Sequence, residues 1–80
     1  MEFNLSFIEA LQVVFAGGKV RGNRFSNGVY LRQDYHGAVI VDSVSEEIGF
    51  SEKSDFILTK GLTTQKYRVV ESVKYSDLLD

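Results

Sequence analysis

Arg21, Arg24, Phe25, Asn27 and Tyr30 lie within ten consecutive positions and are the residues of this chain best suited to recognition chemistry. Two guanidinium forks can each take a phosphate through paired hydrogen bonds. The rings of Phe25 and Tyr30 could stack on a flat base, a contact worth about 1–3 kcal/mol, and the Asn27 amide can donate and accept. The set suits a ligand with phosphates and a planar ring. It also suits an ordinary hairpin with solvated arginines and a core Phe. The nearby glycines, Gly17, Gly18, Gly22 and Gly28, fit neither the phosphate-loop spacing nor the dinucleotide fingerprint.

The other chemical candidates are thinner. His36 and Asp34 could form an acid–base pair, but they share one tight turn, and a surface histidine is the plainer reading. Glu46, Glu47, Glu52 and Asp55 lack the spacing of a calcium loop and read as a solvated acidic loop. Glu71 stands on an otherwise apolar face. It calls either for an Arg partner or for an edge position open to water. Asp77 could cap the last turn or reach a neighbouring subunit. There is no Cys and only one His, so neither a thiol nucleophile nor a thiolate or histidine metal cluster can be built. No enzyme, cofactor or metal is expected.

The totals set the scale. Eighty residues make one domain, 1–80, that buries only about 60–65% of its unfolded surface. Without disulfides or a metal, the usual remedy left to so small a core is oligomerisation. Net charge is −2, so DNA is not an expected partner. The distribution is uneven: between Ala10 and Gln33 there are four bases and no acid, whereas residues 41–80 carry eight acids against five bases. No run approaches the roughly 18 apolar residues of a membrane span, and MEFNLSF lacks the basic start and apolar block of a signal peptide. A cytoplasmic protein without membrane contact is expected.

Elements must position these residues. MEFNL alternates weakly as a short strand. Ser6 followed by Glu9 is a capping box, so a helix should run from Phe7 to Ala16 and stop at Gly17-Gly18. Phe7, Ala10, Leu11 and Val14 form one stripe, but Ile8, Val13 and Phe15 lie off it. A helix apolar on nearly all sides is covered on more than one side, either by a second copy or by a sheet curling round it. Strands follow at Lys19–Arg21, at Val29–Gln33 after an Asn27-Gly28 turn, and at Ala38–Val44 after a turn over 34–37. Residues 45–54 read as the acidic loop, with Ile48 and Phe50 as anchors. A strand is expected at Asp55–Thr59 and a turn at Lys60-Gly61. The longest alternating run spans 66–75 and puts Tyr67, Val69, Val73 and Tyr75 on one face with Glu71. Residues 76–80 suit one closing helical turn. The expected class is α+β: one N-terminal helix packed on a twisted antiparallel sheet of four to six strands.

The phrase LSFIEALQVVFAGGKVRGNRFSNGVYL resembles the start of a small phage-protein family, now linked to Thoeris anti-defence of the second type. That family opens with a short lead-in and a helix of the form F-x-E-A-L. A G-K-x-V strand, a basic stretch ending in Trp, a Gly-containing turn and an aromatic strand follow. The closing Val73-Lys74-Tyr75-Ser76-Asp77-Leu78-Leu79 is similar to the family's Ser/Thr-x-x-Asp-Leu-Leu segment, with Asp77 one residue nearer to Ser76. Phe25 stands at the family's Trp position, and the family's Arg falls on Gly22.

The resemblance covers about half the chain. It implies a homotetrameric, non-catalytic sponge that sequesters a cyclic nucleotide immune signal, either glycocyclic ADP-ribose or a cyclic oligonucleotide, in pockets between subunits. By position, Phe25 would stack on the base, Asn27 and Tyr30 would line the pocket, and Asp77 would sit near its rim. Arg21 and Arg24 are assigned to the phosphates by charge alone. The sequence leaves dimer or tetramer open. The competing expectation is a small interaction module that binds a host protein through the acidic loop.

Overall fold

The computed structural model describes residues 2–45 and 51–79. Helix α1, Phe7–Phe15, begins as its capping box requires. The Glu9 N–H donates to Ser6 Oγ at 3.2 Å, and the Ser6 N–H donates to Glu9 Oε1 at 2.9 Å. Those bonds, the Ser6 backbone first and its side chain second, hold the Glu9 carboxyl below its ordinary value. The helix ends one residue earlier than expected, with Ala16 as its C-cap. Gly17 then turns the chain at φ 95°, a conformation that costs glycine little.

Five antiparallel strands follow: β1 Lys19–Gly22, β2 Val29–Gln33, β3 Val39–Val44, β4 Ser51–Asp55 and β5 Tyr67–Val70. Their spatial order is β4-β3-β2-β1-β5. The first four strands run as a meander; the chain then crosses to the far edge, where β5 pairs with β1. One helix on a five-stranded antiparallel sheet is the expected α+β arrangement.

Strand alternation sorts side chains onto two faces. Val20 and Leu31 are register partners, and both pack against Phe7, Ala10 and Val14 of α1 together with Tyr67. The Phe7 ring lies 6.4 Å from Phe56 and 5.9 Å from Tyr67, centroid to centroid. The opposite face holds Tyr30, Val70 and Leu78 as a smaller cluster. Val29 and Leu31 therefore separate from Tyr30 and Arg32 as the alternation predicts.

The second half of the chain departs from the expected elements. β4 occupies 51–55, so the strand expected at Asp55–Thr59 lies earlier and part of the expected acidic loop is strand. Ile48 and Phe50 lie outside the described residues. Lys60-Gly61 opens a short helix, α2, Lys60–Thr64, in place of a turn. Thr59 caps it by accepting from the Leu62 N–H at 3.3 Å. The alternating run 66–75 is strand only to Val70, so Val73 and Tyr75 do not share a strand face with Tyr67. Glu71 lies beyond the strand and is exposed. Of the lead-in strand expected at 1–5, the described residues supply a single bridge, Leu5 to Tyr67, and the closing helical turn is a 3-10 turn at Tyr75–Asp77.

Leu31 has no exposed surface, whereas Ile8 and Phe15 are 62% and 58% exposed. Leu31→Ala should therefore cost about 2–5 kcal/mol in urea unfolding. Phe15→Ser should cost under about 0.5 kcal/mol in the isolated chain. A second prediction concerns alkali. Burial pushes the Tyr67 phenol from 10.0 up to about 12, and its O–H donates to the Leu62 carbonyl at 2.6 Å. The folded chain thus holds this proton more tightly than the unfolded one. Its contribution to stability is complete below the ordinary phenol value and is lost as pH rises from there toward 12. Unfolding free energies measured from pH 9 to 12 should fall over that window, and less steeply in Tyr67→Phe.

Candidate functional site

The loop of residues 23–28, between β1 and β2, is built around Arg21. That side chain is 0% exposed. Its Nη1 donates to the carbonyls of Ser26 at 2.9 Å and Val29 at 2.8 Å, and Nη2 donates to that of Phe25 at 3.2 Å. Charge alone assigns Arg21 to a ligand phosphate; the folded chain instead spends it on its own carbonyls. Those dipoles replace the water that a buried cation loses.

The start of the loop is tied to the junction of α2 and β5. The Asn23 N–H donates to the Lys66 carbonyl at 2.9 Å, and the Lys66 N–H returns a bond to Asn23 Oδ1 at 3.2 Å. The Arg24 N–H donates to Gln65 Oε1 at 3.0 Å, which leaves the Arg24 side chain exposed. Phe25 is half-buried, its ring perpendicular to Tyr67 at 5.9 Å, so its ring serves the core.

The end of the loop meets the chain's closing segment. Gly28 lies at φ 86°, and its N–H donates to the Leu78 carbonyl at 2.8 Å while its own carbonyl accepts from Val44 at 3.0 Å. A Cβ here would run into the Val44 carbonyl oxygen. From below, Arg68 Nη2 donates to the Asp77 carbonyl at 2.7 Å, and the guanidinium carbon stands 5.4 Å from the centre of the Phe3 ring. Leu78 is fully buried between the closing turn and the sheet. Asn27 and the Asp77 carboxylate, both exposed, therefore lie at one seam.

Tyr30 points away from the seam's surface. It is 3% exposed, and its hydroxyl donates to Asp42 Oδ2 at 3.0 Å. Arg32 Nε donates to the same oxygen at 2.9 Å, and Asp42 Oδ1 accepts from the Ser43 N–H. Burial, and then the bond to the Asp42 carboxylate, push the Tyr30 phenol up. The same carboxylate raises Arg32.

Of the six expected ligand residues, Arg24, Asn27 and Asp77 keep exposed side chains. Arg24 lies at one end of the loop and the other two at its far end. Arg21, Phe25 and Tyr30 support the loop and the sheet. Sequence reasoning missed Asp42, Gln65 and Arg68, all buried. A lone carboxylate inside the apolar strand VIVDSV was a legible signal for the first. Gln65 and Arg68 gave none: Arg24, which Gln65 holds, lies 41 positions away, and Arg68 meets the Asp77 and Leu79 carbonyls only once the closing segment folds back.

A cavity of about 330 Å³ lies elsewhere, lined by the 34–36 turn, Ile40 and residues 53–55. Asp34 shapes that turn: its Oδ1 accepts from the His36 and Ala38 N–H groups at 2.8 and 2.9 Å. Those bonds make Asp34 a turn-former, not a catalytic partner of His36. Among the described residues no group of three metal-ligating side chains is assembled, and no helix is long and apolar enough to cross a membrane.

Arg21→Met should destabilise the chain by about 2–4 kcal/mol, because it removes the guanidinium that three carbonyls of the loop and β2 share. Arg24→Met should stay within about 0.5 kcal/mol. Urea midpoints of the two variants, compared at equal protein concentration, provide the check. In comparisons with known proteins, no family model, no curated protein and no solved structure matches this chain.

Proposed function

We propose that the chain is a non-catalytic, phage-encoded anti-defence sponge that binds a cyclic nucleotide immune signal, in the manner of the Thoeris anti-defence family of the second type. One observation carries the reading. The 23–28 loop and the 75–79 segment, which lie within the two separate parts of the family resemblance (5–31 and 73–79), meet through the Gly28 to Leu78 hydrogen bond. Residues 50 positions apart in sequence thereby form one surface feature, with Asn27 and Asp77 at its seam and Arg24 on the same loop.

In this reading Arg24 supplies the phosphate contact, and the Asn27 amide and Asp77 rim contact the base or ribose. Arg21 acts as the support that holds the loop. Exposed Ile8, Phe15, Ile57 and Leu58 are the surface that further copies of the chain would cover, and the neighbouring copy would complete the pocket. Sequestration works by mass action: free signal falls below the effector's threshold while the messenger stays intact.

Glycocyclic ADP-ribose at about 100 times its dissociation constant should stabilise the chain by about 2.7 kcal/mol, roughly 10–20 °C in melting temperature for a domain of this size. Heating the complex should then release the ligand with unchanged mass. Arg24→Met should lose most of the shift while folding normally. No shift with glycocyclic ADP-ribose or any cyclic oligonucleotide, or recovery of cleaved ligand, would overturn the proposal.

A further inference from the structure

The cavity beside the β2–β3 turn is independent of the loop just described, and its chemistry is different. Ile40, 8% exposed, forms an apolar floor. Its register partner on β4 is Asp55, so that carboxylate stands at the side of the floor. On the other side the turn presents Asp34, Tyr35 and His36. Tyr35 is 95% exposed, and its ring meets the His36 ring at 79° with centroids 4.8 Å apart. An exposed aromatic ring at a loop tip has given up its burial energy, and here it makes one wall of an aromatic corner. Lys53 also lines the groove, two residues before Asp55 on the same face of β4.

Two carboxylates against one ammonium give this groove a negative balance. An anion would have to sit between Asp34 and Asp55. A cation finds carboxylate oxygens on both sides, and ring faces attract cations through their quadrupoles. A carboxylate offers about four lone-pair sites, so the amide bonds to Asp34 Oδ1 leave that group able to accept more. The volume, about 330 Å³, is at the small end for ligand sites, which run from about 300 to 1,000 Å³. It has room for a side-chain-sized group. The acidic excess of residues 41–80 adds attraction at longer range.

We propose that this groove binds an organic cation, a guanidinium or alkylammonium group on a slender apolar stem, with Asp55 and Asp34 taking the charge, Tyr35 and His36 the flat or methylene surface, and Ile40 the stem. The source is either a free amine or a basic side chain presented by a protein. Lys53 opposes binding of the charge and so sets the upper limit on affinity.

The test is an amide chemical-shift titration of the isotopically labelled chain. The probes are N-acetyl-arginine amide, its neutral isostere N-acetyl-citrulline amide, spermidine, and inorganic phosphate. The arginine derivative should move the amides of residues 35–38 and 53–55 saturably, with a dissociation constant of about 1–10 mM, and the citrulline derivative should not. Asp55→Asn should weaken binding about three- to fivefold, and Lys53→Met should strengthen it. Arg24→Met should leave it unchanged, which separates this site from the sponge surface.

Tighter binding of spermidine than of the arginine derivative would identify a free amine as the source, and the reverse order a protein side chain. Equal shifts with citrulline, saturable phosphate binding in place of arginine, absence of saturation, or an Asp55→Asn variant with unchanged affinity would each overturn the proposal.

Discussion

A buried guanidinium that has no ordinary access to water organises this molecule. Removing Arg21 from solvent costs several kcal/mol unless its donors are matched. The chain supplies Nη1 and Nη2 with the carbonyls of Phe25, Ser26 and Val29. Residues 23–28 must then curl round the side chain, because only a curled loop points the carbonyls of Phe25 and Ser26 inward together with that of Val29 at the start of β2. The loop's shape is thus a consequence of solvating one charge.

Arg68 repeats the device from the neighbouring strand. It is the register partner of Arg21, and like charges directly opposite across a sheet repel. The two guanidiniums take different partners, one the carbonyls of Phe25, Ser26 and Val29 and the other those of Asp77 and Leu79. Each draws an irregular segment onto the face that α1 leaves uncovered. Leu78 then fills the space beside Tyr30 and Val70, so a face rich in charge acquires a small apolar seal. Asp42 manages the remaining charge through Arg32 and Tyr30.

The two faces of the sheet consequently have different energetics. The α1 face is held by non-directional apolar burial and tolerates hydrophobic exchanges of similar volume. The other face is held by directed bonds to buried polar groups, where loss of one partner leaves an uncompensated group in place. The 23–28 loop and the closing segment sit over the second face. Precise positioning there comes from directed bonds, and the apolar layer supplies the stability that they cannot.

What the sequence determined by itself is local and periodic. The Ser6–Glu9 box, the apolar stripe of α1, the Gly17 stop, the Asn27-Gly28 turn and the alternation of β2 all act over a few residues, so their outcome was readable from order alone. The second half was less readable, because SEKSD has little intrinsic strand preference and takes β4 through pairing with β3. The run 66–75 alternates well beyond Val70 but loses its pairing partner where β1 begins. The roles of the arginines belonged wholly to tertiary structure. Arg21 and Arg24 are the same residue type three positions apart in a basic loop, and composition treats them alike. The fold encloses one and exposes the other, because strand alternation points Arg21 into the face away from α1, which the 23–28 loop and the closing segment cover, while the Gln65 bond holds the Arg24 backbone at the rim.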